Sequence, residues 1–517
     1  MKRFSLLMLS LLLTATLLVG CGDTGQESSA ASSSESSEAA ASESTSEPSE
    51  EEEEEQSSQG EQPTELIVYM PYNNGNVDDA PLVEAAINEH IQPLINATVK
   101  LNFLGYGTYE EQTGLILRSG QQIDTMFLQE MPTMQFIAQD ALLPLNDLLD
   151  EYGQGILEQV GTEVFEALLN GGVNYTVPSM KDMAAGRTFI YNVAIAEELN
   201  LDMSSVKEFK DLDPIFAQIK EAKPDMYPYA GSGGNPKIFE QWSFDRLSNS
   251  LGVLMDYGSE PNVVNLFEQP EYKEWLDLAR DWYLKGYIDP DMAISTENRQ
   301  GRVRAGVSFG GISGYKPGGE VQETIQMGFE MDHVPILDTF AITGNIVNTN
   351  WVIPASSISP EKAMQFLNLA YTDEYVANLI HRGIEGVHYE ALPDGTVKQI
   401  DPENNKYAHN LSWAILNEFI TKPWEGYPLD IWEQQREFNR TAEKSCAYGF
   451  IYNDANVQNE LAACNNVVNE YRTSLESGSV DPDEVLPQFI EELKAAGIDT
   501  IIEEKQVQLD EWIKEKE

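Results

Sequence analysis

Three neighbouring pairs in this chain set an aromatic ring or a carboxylate beside a carboxamide: Tyr72 with Asn73, Gln129 with Glu130, and Asn350 with Trp351. A ring offers a flat apolar face. Amides, carboxylates and guanidiniums offer planar hydrogen-bonding edges. Together they suit a solute with C–H faces and hydroxyl edges, such as a sugar ring. Trp242, with Arg246 one turn on, and Lys181 beside Asp182 extend the set. Eight Trp and 22 Tyr supply raw material, but composition alone decides nothing. Each candidate therefore has a plainer alternative. Tyr72, Asn73, Gln129 and Glu130 are ligand contacts or solvated strand ends. Trp242 is a stacking platform or a core residue on a helix over 238–250. Trp351 faces a cleft or a core. Lys181 and Asp182 touch solute or form a salt bridge at a hinge. Arg382 reads as one half of a structural ion pair.

Catalysis has less support. Acidic residues are so abundant that a carboxylate pair for glycoside hydrolysis can be drawn anywhere, and none stands in a recognisable catalytic motif. No Gly-x-Ser-x-Gly, His-Glu-x-x-His or P-loop motif is expected to carry catalysis here. Five scattered His and no Cys-x-x-Cys give no metal-ligand spacing, so neither metal nor cofactor is expected. The net charge of −53 repels nucleic acid and disfavours a polyanionic ligand. A neutral or cationic solute fits better.

Strand and helix signals alternate around these residues. Residues 65–70, 99–104 and 124–128 read as strands, and 81–90, 109–119 and 134–138 as helices, which predicts a parallel sheet covered by helices. Beyond Val177, strands are expected at 188–193 and 351–354, with a short strand at 307–311 running into a Gly-rich turn. Helices are expected at 209–222, 275–285 and from Pro360 to Leu369. The C-terminal quarter reads as helical over 428–447, 455–477, 482–496 and 500–516. Some 450 residues exceed one hydrophobic core, so at least two lobes are expected.

The N-terminal segment reads differently. Lys2 and Arg3 precede an apolar run from Leu6 to Val19, which is short for a membrane span and reads as a secretory signal over 1–20. Residues 21–63 are rich in Ser and Glu and carry no Lys or Arg. They predict a disordered tether, about 140 Å long when fully stretched. Cys446 and Cys464 form either a disulfide or two buried thiols.

The order of segments resembles the extracellular solute-binding proteins of family 1, the superfamily of maltose-binding protein. The resemblance rests on 109–120 followed by Asp124-Thr125-Met126-Phe127, on Phe136 through Leu145, on Tyr175-Thr176-Val177-Pro178, and on Asn350-Trp351-Val352-Ile353-Pro354-Ala355 with Ser359-Pro360-Glu361-Lys362-Ala363. Gly383-Ile384-Glu385-Gly386-Val387-His388-Tyr389 and the tail 486–512 resemble LipO-like lipoproteins of Gram-positive bacteria. Leu18-Val19-Gly20-Cys21 resembles a lipobox, which implies lipid on Cys21.

The resemblance implies an α/β, two-lobed, periplasmic-binding-protein-like (type II) fold with an interlobe hinge and a helical C-terminal region. Lobe one is expected to hold 64–177 plus 353–425, and lobe two 178–350 plus 426–517. It further implies a monomeric, lipid-anchored, non-enzymatic receptor on the extracellular face of the membrane. Such a receptor closes on a carbohydrate, an oligosaccharide by preference, and passes it to ABC transporter permease subunits. Ligands of parallel α/β sheets sit at the carboxyl ends of strands. That places 72–76, 129–131 and 310–315 at the cleft, where Tyr315 corresponds to a sugar-stacking aromatic or is a plain turn residue. A peptide, polyamine or other cationic or amphipathic solute is the alternative ligand.

Overall fold

The protein is described here by a computed structural model covering residues 62–73, 75–231 and 244–516. The expected signal, the tether to Glu61 with Cys21, and Trp242 lie outside the described residues. In chain order the strands are β1 (Thr64–Tyr72), β2 (Ala97–Gly105), β3 (Thr125–Leu128), β4 (Val177–Pro178), β5 (Ala185–Asn192), β6 (Phe244–Asp245), β7 (Val253–Met255), β8 (Val263–Val264), β9 (Gly310–Tyr315), β10 (Met331–Ala341), β11 (Asn350–Val352), β12 (Tyr389–Ala391), β13 (Val397–Gln399) and β14 (Glu443–Lys444).

Period-two burial builds the first sheet: β1 buries Leu66, Val68 and Met70 on one face. β1, β2 and β3 run parallel, joined by the helices Ala80–Ile95 and Tyr106–Ser119. β1 continues through Pro71, beyond the expected strand end. Pro71 faces only Leu104 of β2, because β3 pairs with β1 at Val68 and Tyr69 alone, so the missing N–H costs no bond to β3. The chain returns to this sheet twice. β11 lies antiparallel between β3 and β4, giving the order β2-β1-β3-β11-β4.

The second sheet has the order β14-β10-β5-β9, with β5 antiparallel to both neighbours. Here the expected Gly-rich turn is instead strand β9. A Cβ on Gly310 would lie 2.3 Å from the Ile190 carbonyl oxygen, and one on Gly311 2.4 Å from that of Ala230. These glycines serve close backbone approach rather than a reversal. The expected helix over 238–250 is also corrected: within its described part, 244–245 is β6, and Leu247 and Ser248 take φ of 44° and 74°.

Each sheet has its own apolar core. The first gathers Phe127, Trp351, Phe366 and Tyr371 with Ile431 and Trp432. The second gathers Phe189, Phe216, Trp282 and Phe309 with Phe489, Leu493 and Leu509 from the C-terminal helices. The molecule is thus two-lobed, although 61–517 cluster as one unit by contact density. The helices Gln458–Glu476, Pro482–Ala496 and Ile498–Lys516 cover the second core. The expected helix 428–447 shortens to Ile431–Thr441, since the chain then joins the second sheet as β14.

Cys446 and Cys464 are free thiols. Cys446 is exposed ahead of the second core, while Cys464 lies on the buried face of its helix, 3.8 Å from the Leu493 carbonyl. The disulfide expectation is therefore replaced by one core thiol and one surface thiol.

Candidate functional site

The carboxyl ends of β1, β2 and β3 form one edge of lobe one. At the end of β1, Tyr72 is half-buried and Asn73 exposed. The following loop is seated on 406–410: the Asn73 N–H donates to the His409 carbonyl (2.9 Å) and the Ala408 N–H to that of Asn76 (2.7 Å). A Cβ on Gly75 would fall 1.7 Å from the Ala408 oxygen, so glycine is required for this approach. Gln129 follows β3, and its amide donates to the Tyr106 hydroxyl at 2.9 Å. Tyr106, just beyond β2, meets Trp413 edge-to-face at 6.0 Å. Glu130 opens the helix Glu130–Ala138; its side chain is outside the described set. This edge therefore carries three half-buried rings, Tyr72, Tyr106 and Trp413, and an oriented amide. Tyr106 and Trp413 were not among the sequence candidates. Tyr106 could have been found, because it follows a strand end just as Tyr72 does. Trp413 lies in an irregular stretch with no periodicity to place it.

Trp413 leads to a charge cluster shared by both lobes. Its neighbour Ser412 hydrogen-bonds the Glu418 carboxyl. Glu418 lies 3.7 Å from Arg382, whose side chain is fully buried. The Arg382 guanidinium also donates to the Thr421 hydroxyl (3.0 Å) and lies 4.3 Å over the Trp424 ring. From lobe two, the Lys316 ammonium is 3.4 Å from the Asp182 carboxylate. Burial pushes the Glu418 carboxyl up, against the pull of Arg382 and Lys316. Burial also works on Asp182, but the Lys316 and Lys181 ammoniums outweigh it and hold that carboxyl below its usual range.

Lys181 does not pair with the Asp182 carboxylate as a hinge salt bridge. Its ammonium donates to the Asp182 backbone carbonyl at 2.9 Å, and burial holds its pKa down. The helix Ile431–Thr441 ties the segments together. Trp432 donates to the Thr421 carbonyl (2.6 Å) on one side, and on the other Asn439 donates to that of Lys181 (2.7 Å) and Gln435 to that of Pro317 (3.1 Å).

Several expected contacts are redistributed. Trp351 is wholly buried: its ring lies 6.4 Å from Phe127, and its indole N–H donates to Ser179 at 3.2 Å. It is a core residue, because the face of β11 carrying it turns into the first core. Asn350 is also buried. Its amide donates to the Val347 carbonyl, and with Thr133 it lines a small cavity of about 20 Å³. Arg246 lies against the helix Thr343–Val347, where a Cβ on Gly344 would come within 2.9 Å of its guanidinium. Asn350 nevertheless stands at the lobe-one edge, since it pairs with Leu128, the residue before Gln129. Tyr315 ends β9 between His333 and Phe438, at 5.3 and 5.8 Å, and with Asp182 and Lys316 lines a cavity of about 330 Å³ in lobe two.

Against the expectation that the chain holds no such motif, residues 306–310 spell Gly-Val-Ser-Phe-Gly, the pattern of a nucleophile elbow. Ser308 is fully buried, and the chain leads into β9 rather than through a strand-to-helix turn, so the match is a spelling only. Among the described residues no group of three or more His, Cys, Asp or Glu gathers as a metal site.

The sequence profile of bacterial extracellular solute-binding proteins matches residues 91–377. The chain belongs to that family. A second profile, a domain of unknown function (DUF3502), matches 446–514, the helical cover of lobe two. A carbohydrate ABC transporter substrate-binding protein of Streptococcus pneumoniae is 26% identical over 463 residues, covering 88% of this chain and 92% of that protein. The crystal structure of the N-glycan transport solute-binding protein NgtS from the same organism superposes with a TM-score of 0.80 at 26% identity, covering 88% of this chain and all of the other. The NgtS complex with Man5GlcNAc gives 0.67 at 25% identity, covering 88% of this chain and 99% of that one. As a member of this family, the chain is a substrate-binding component, and an extracellular one.

Proposed function

We propose that this solute-binding protein captures a neutral oligosaccharide between its lobes by closing on it, and delivers it to ABC transporter permease subunits as a monomer held to the membrane by lipid on Cys21. One observation carries the reading: the aromatic edge of lobe one adjoins a charge cluster in which Glu418 and Arg382 meet Lys316, which follows β9 of the second sheet, and Asp182, whose neighbours Met180 and Met183 pack in the first core. A solute on Tyr106 and Trp413 stacks its C–H faces on rings and meets the Gln129 amide at its hydroxyl edge. Contacts from both lobes are satisfied together only when the lobes approach, so binding shifts an open–closed equilibrium.

The relatives support this ligand class. NgtS structures named with Man1GlcNAc and Man5GlcNAc superpose at 0.72 and 0.67, against 0.80 for the one named without a glycan. That order is what a ligand-free form of a closing receptor gives. We take the lobes to divide near 64–177 plus 353–425 and 178–350 plus 426–517, with the crossing strands β4 and β11 counted in the first sheet. Ile431 and Trp432 side with the first core, which draws the last crossing into the helix Ile431–Thr441.

A thermal-shift screen across neutral glycans, peptides and polyamines tests the reading, because a ligand of the native state raises the melting temperature. A rise with glycans, together with a smaller radius of gyration in solution scattering, is the expected outcome. A rise with polyamines or peptides alone sinks it.

A further inference from the structure

The C-terminal helices matched by the profile of unknown function, 446–514, cover the second core. Their last helix is bolted there. The buried Lys505 ammonium donates to the Asn249 side-chain oxygen at 2.8 Å and to the Gly252 carbonyl at 2.9 Å, and the Val263 N–H donates to the Gln506 side-chain oxygen at 2.7 Å. The entry to this unit, however, reaches both cores. Ala447, Phe450 and Tyr452 pack in the second, whereas Tyr448 and Ile451 pack against the first. Between them Gly449, at φ 98°, lies so near the lobe-one helix Thr162–Ala167 that a Cβ would fall 2.6 Å from the Ala167 carbonyl oxygen. Glycine permits that approach. Charges grip the same helix. Lys444, just ahead of the unit, pairs with Glu163, and at the chain end burial lowers the Lys516 pKa against the pull of Glu166. The Thr343 hydroxyl donates to the Ala447 carbonyl at 2.8 Å and accepts from the Gly449 N–H at 2.9 Å. Thr343 opens the helix Thr343–Val347, which leads into the crossing strand β11.

We propose that this helical unit is the strut of the hinge: anchored on lobe two, it grips the helix Thr162–Ala167 of lobe one through residues 444–451 and fixes the angle at which the empty lobes rest. The inference rests on lobes that move on one another, as the closing reading requires. The crossings β4, β11 and the helix Ile431–Thr441 let two packed bodies rotate, but they do not by themselves choose an angle. A packed contact beside them does, because close-packed surfaces deform little and hold one arrangement. Such a grip sets an angle only if the unit is firmly seated, and the buried Lys505 supplies that seat.

Double electron–electron resonance between spin labels on the two lobes tests this. Labels go on Leu94→Cys and Leu284→Cys, both exposed on helices, in a full-length chain carrying Cys21→Ser and Cys446→Ser, with no ligand added. Tyr448→Ala removes the ring packed on the first core. Lys444→Met removes the partner of the exposed Glu163 and leaves the core untouched. Glu492→Gln, which breaks the bond from Tyr471 within the unit, is the control. Melting curves report which variants fold. The expected result is about a doubling in the width of the distance distribution in each strut variant that folds, with the control unchanged. Unchanged widths in the folded strut variants, or equal broadening in all three, overturn the strut. Because the empty chain is measured, that failure leaves the oligosaccharide reading standing, and the thermal-shift screen judges that reading separately.

Discussion

The Lys316 ammonium stands 3.4 Å from the Asp182 carboxylate, with the Glu418 carboxyl of the other lobe acting on both. One cation thus serves two acids that approach from opposite sides of the seam. Lys316→Met should lower stability by about 1–3 kcal/mol, less than for a fully buried pair because both partners keep some water. Urea unfolding measures it, and an unchanged midpoint would mean that solvent already screens the pair.

Trp413 and Trp351 should separate binding from folding. Trp413→Ala is expected to weaken glycan binding about tenfold or more with little change in melting temperature, since its ring is half-buried at the edge. Trp351→Ala empties a packed core position and should cost about 3–5 kcal/mol. Titration calorimetry and denaturant melts on both variants decide the matter, and exchanged effects would refute the placement of the site.

Two buried histidines make stability depend on pH. The His381 and His409 rings lie 6.0 Å apart. Burial, with Arg382 nearby, depresses both, His409 to about 4 and His381 well below its ordinary value. The Leu411 N–H donates to His409 Nδ1 at 3.1 Å, which requires the neutral ring. A folded pKa below the unfolded value near 6.5 means that the stabilisation is complete above pH 6.5 and lost as pH falls toward 4. His409 alone accounts for about 3 kcal/mol of that loss. Urea midpoints between pH 7.5 and 4.5 should fall, and His409→Gln should flatten the slope.

The thiols should differ in reach. Alkylation of the native protein is expected to label Cys446 and to spare Cys464 until the chain unfolds, because only the first is exposed. Burial also pushes the Cys464 thiol up to about 11, which suppresses its thiolate. Peptide mapping by mass spectrometry reads the pattern. Equal labelling of both in the native state would contradict the packing of the helix Gln458–Glu476.

Local signals carried much of the fold. The alternation of 65–70 and 99–104, and the C-terminal helices, are short-range patterns that a chain displays before it folds. β10 escaped notice because Pro335 and alternating charges disguise a strand whose ladder with β5 shifts register twice. Gln129 and Tyr72 could be placed at an edge because strand ends point to clefts. Trp413 could not, since an irregular segment has no period.

The residues themselves determined that this chain would fold as helix-covered sheets with two returns near Val177 and Trp351, because backbone propensity and hydrophobic spacing are local properties. Only the tertiary structure decided which way Trp351 faces, that the Asp182 carboxylate takes Lys316 as its ion-pair partner, and that Tyr106 meets Trp413. Those outcomes depend on which distant surfaces meet, and sequence spacing carries no record of a contact between elements hundreds of residues apart.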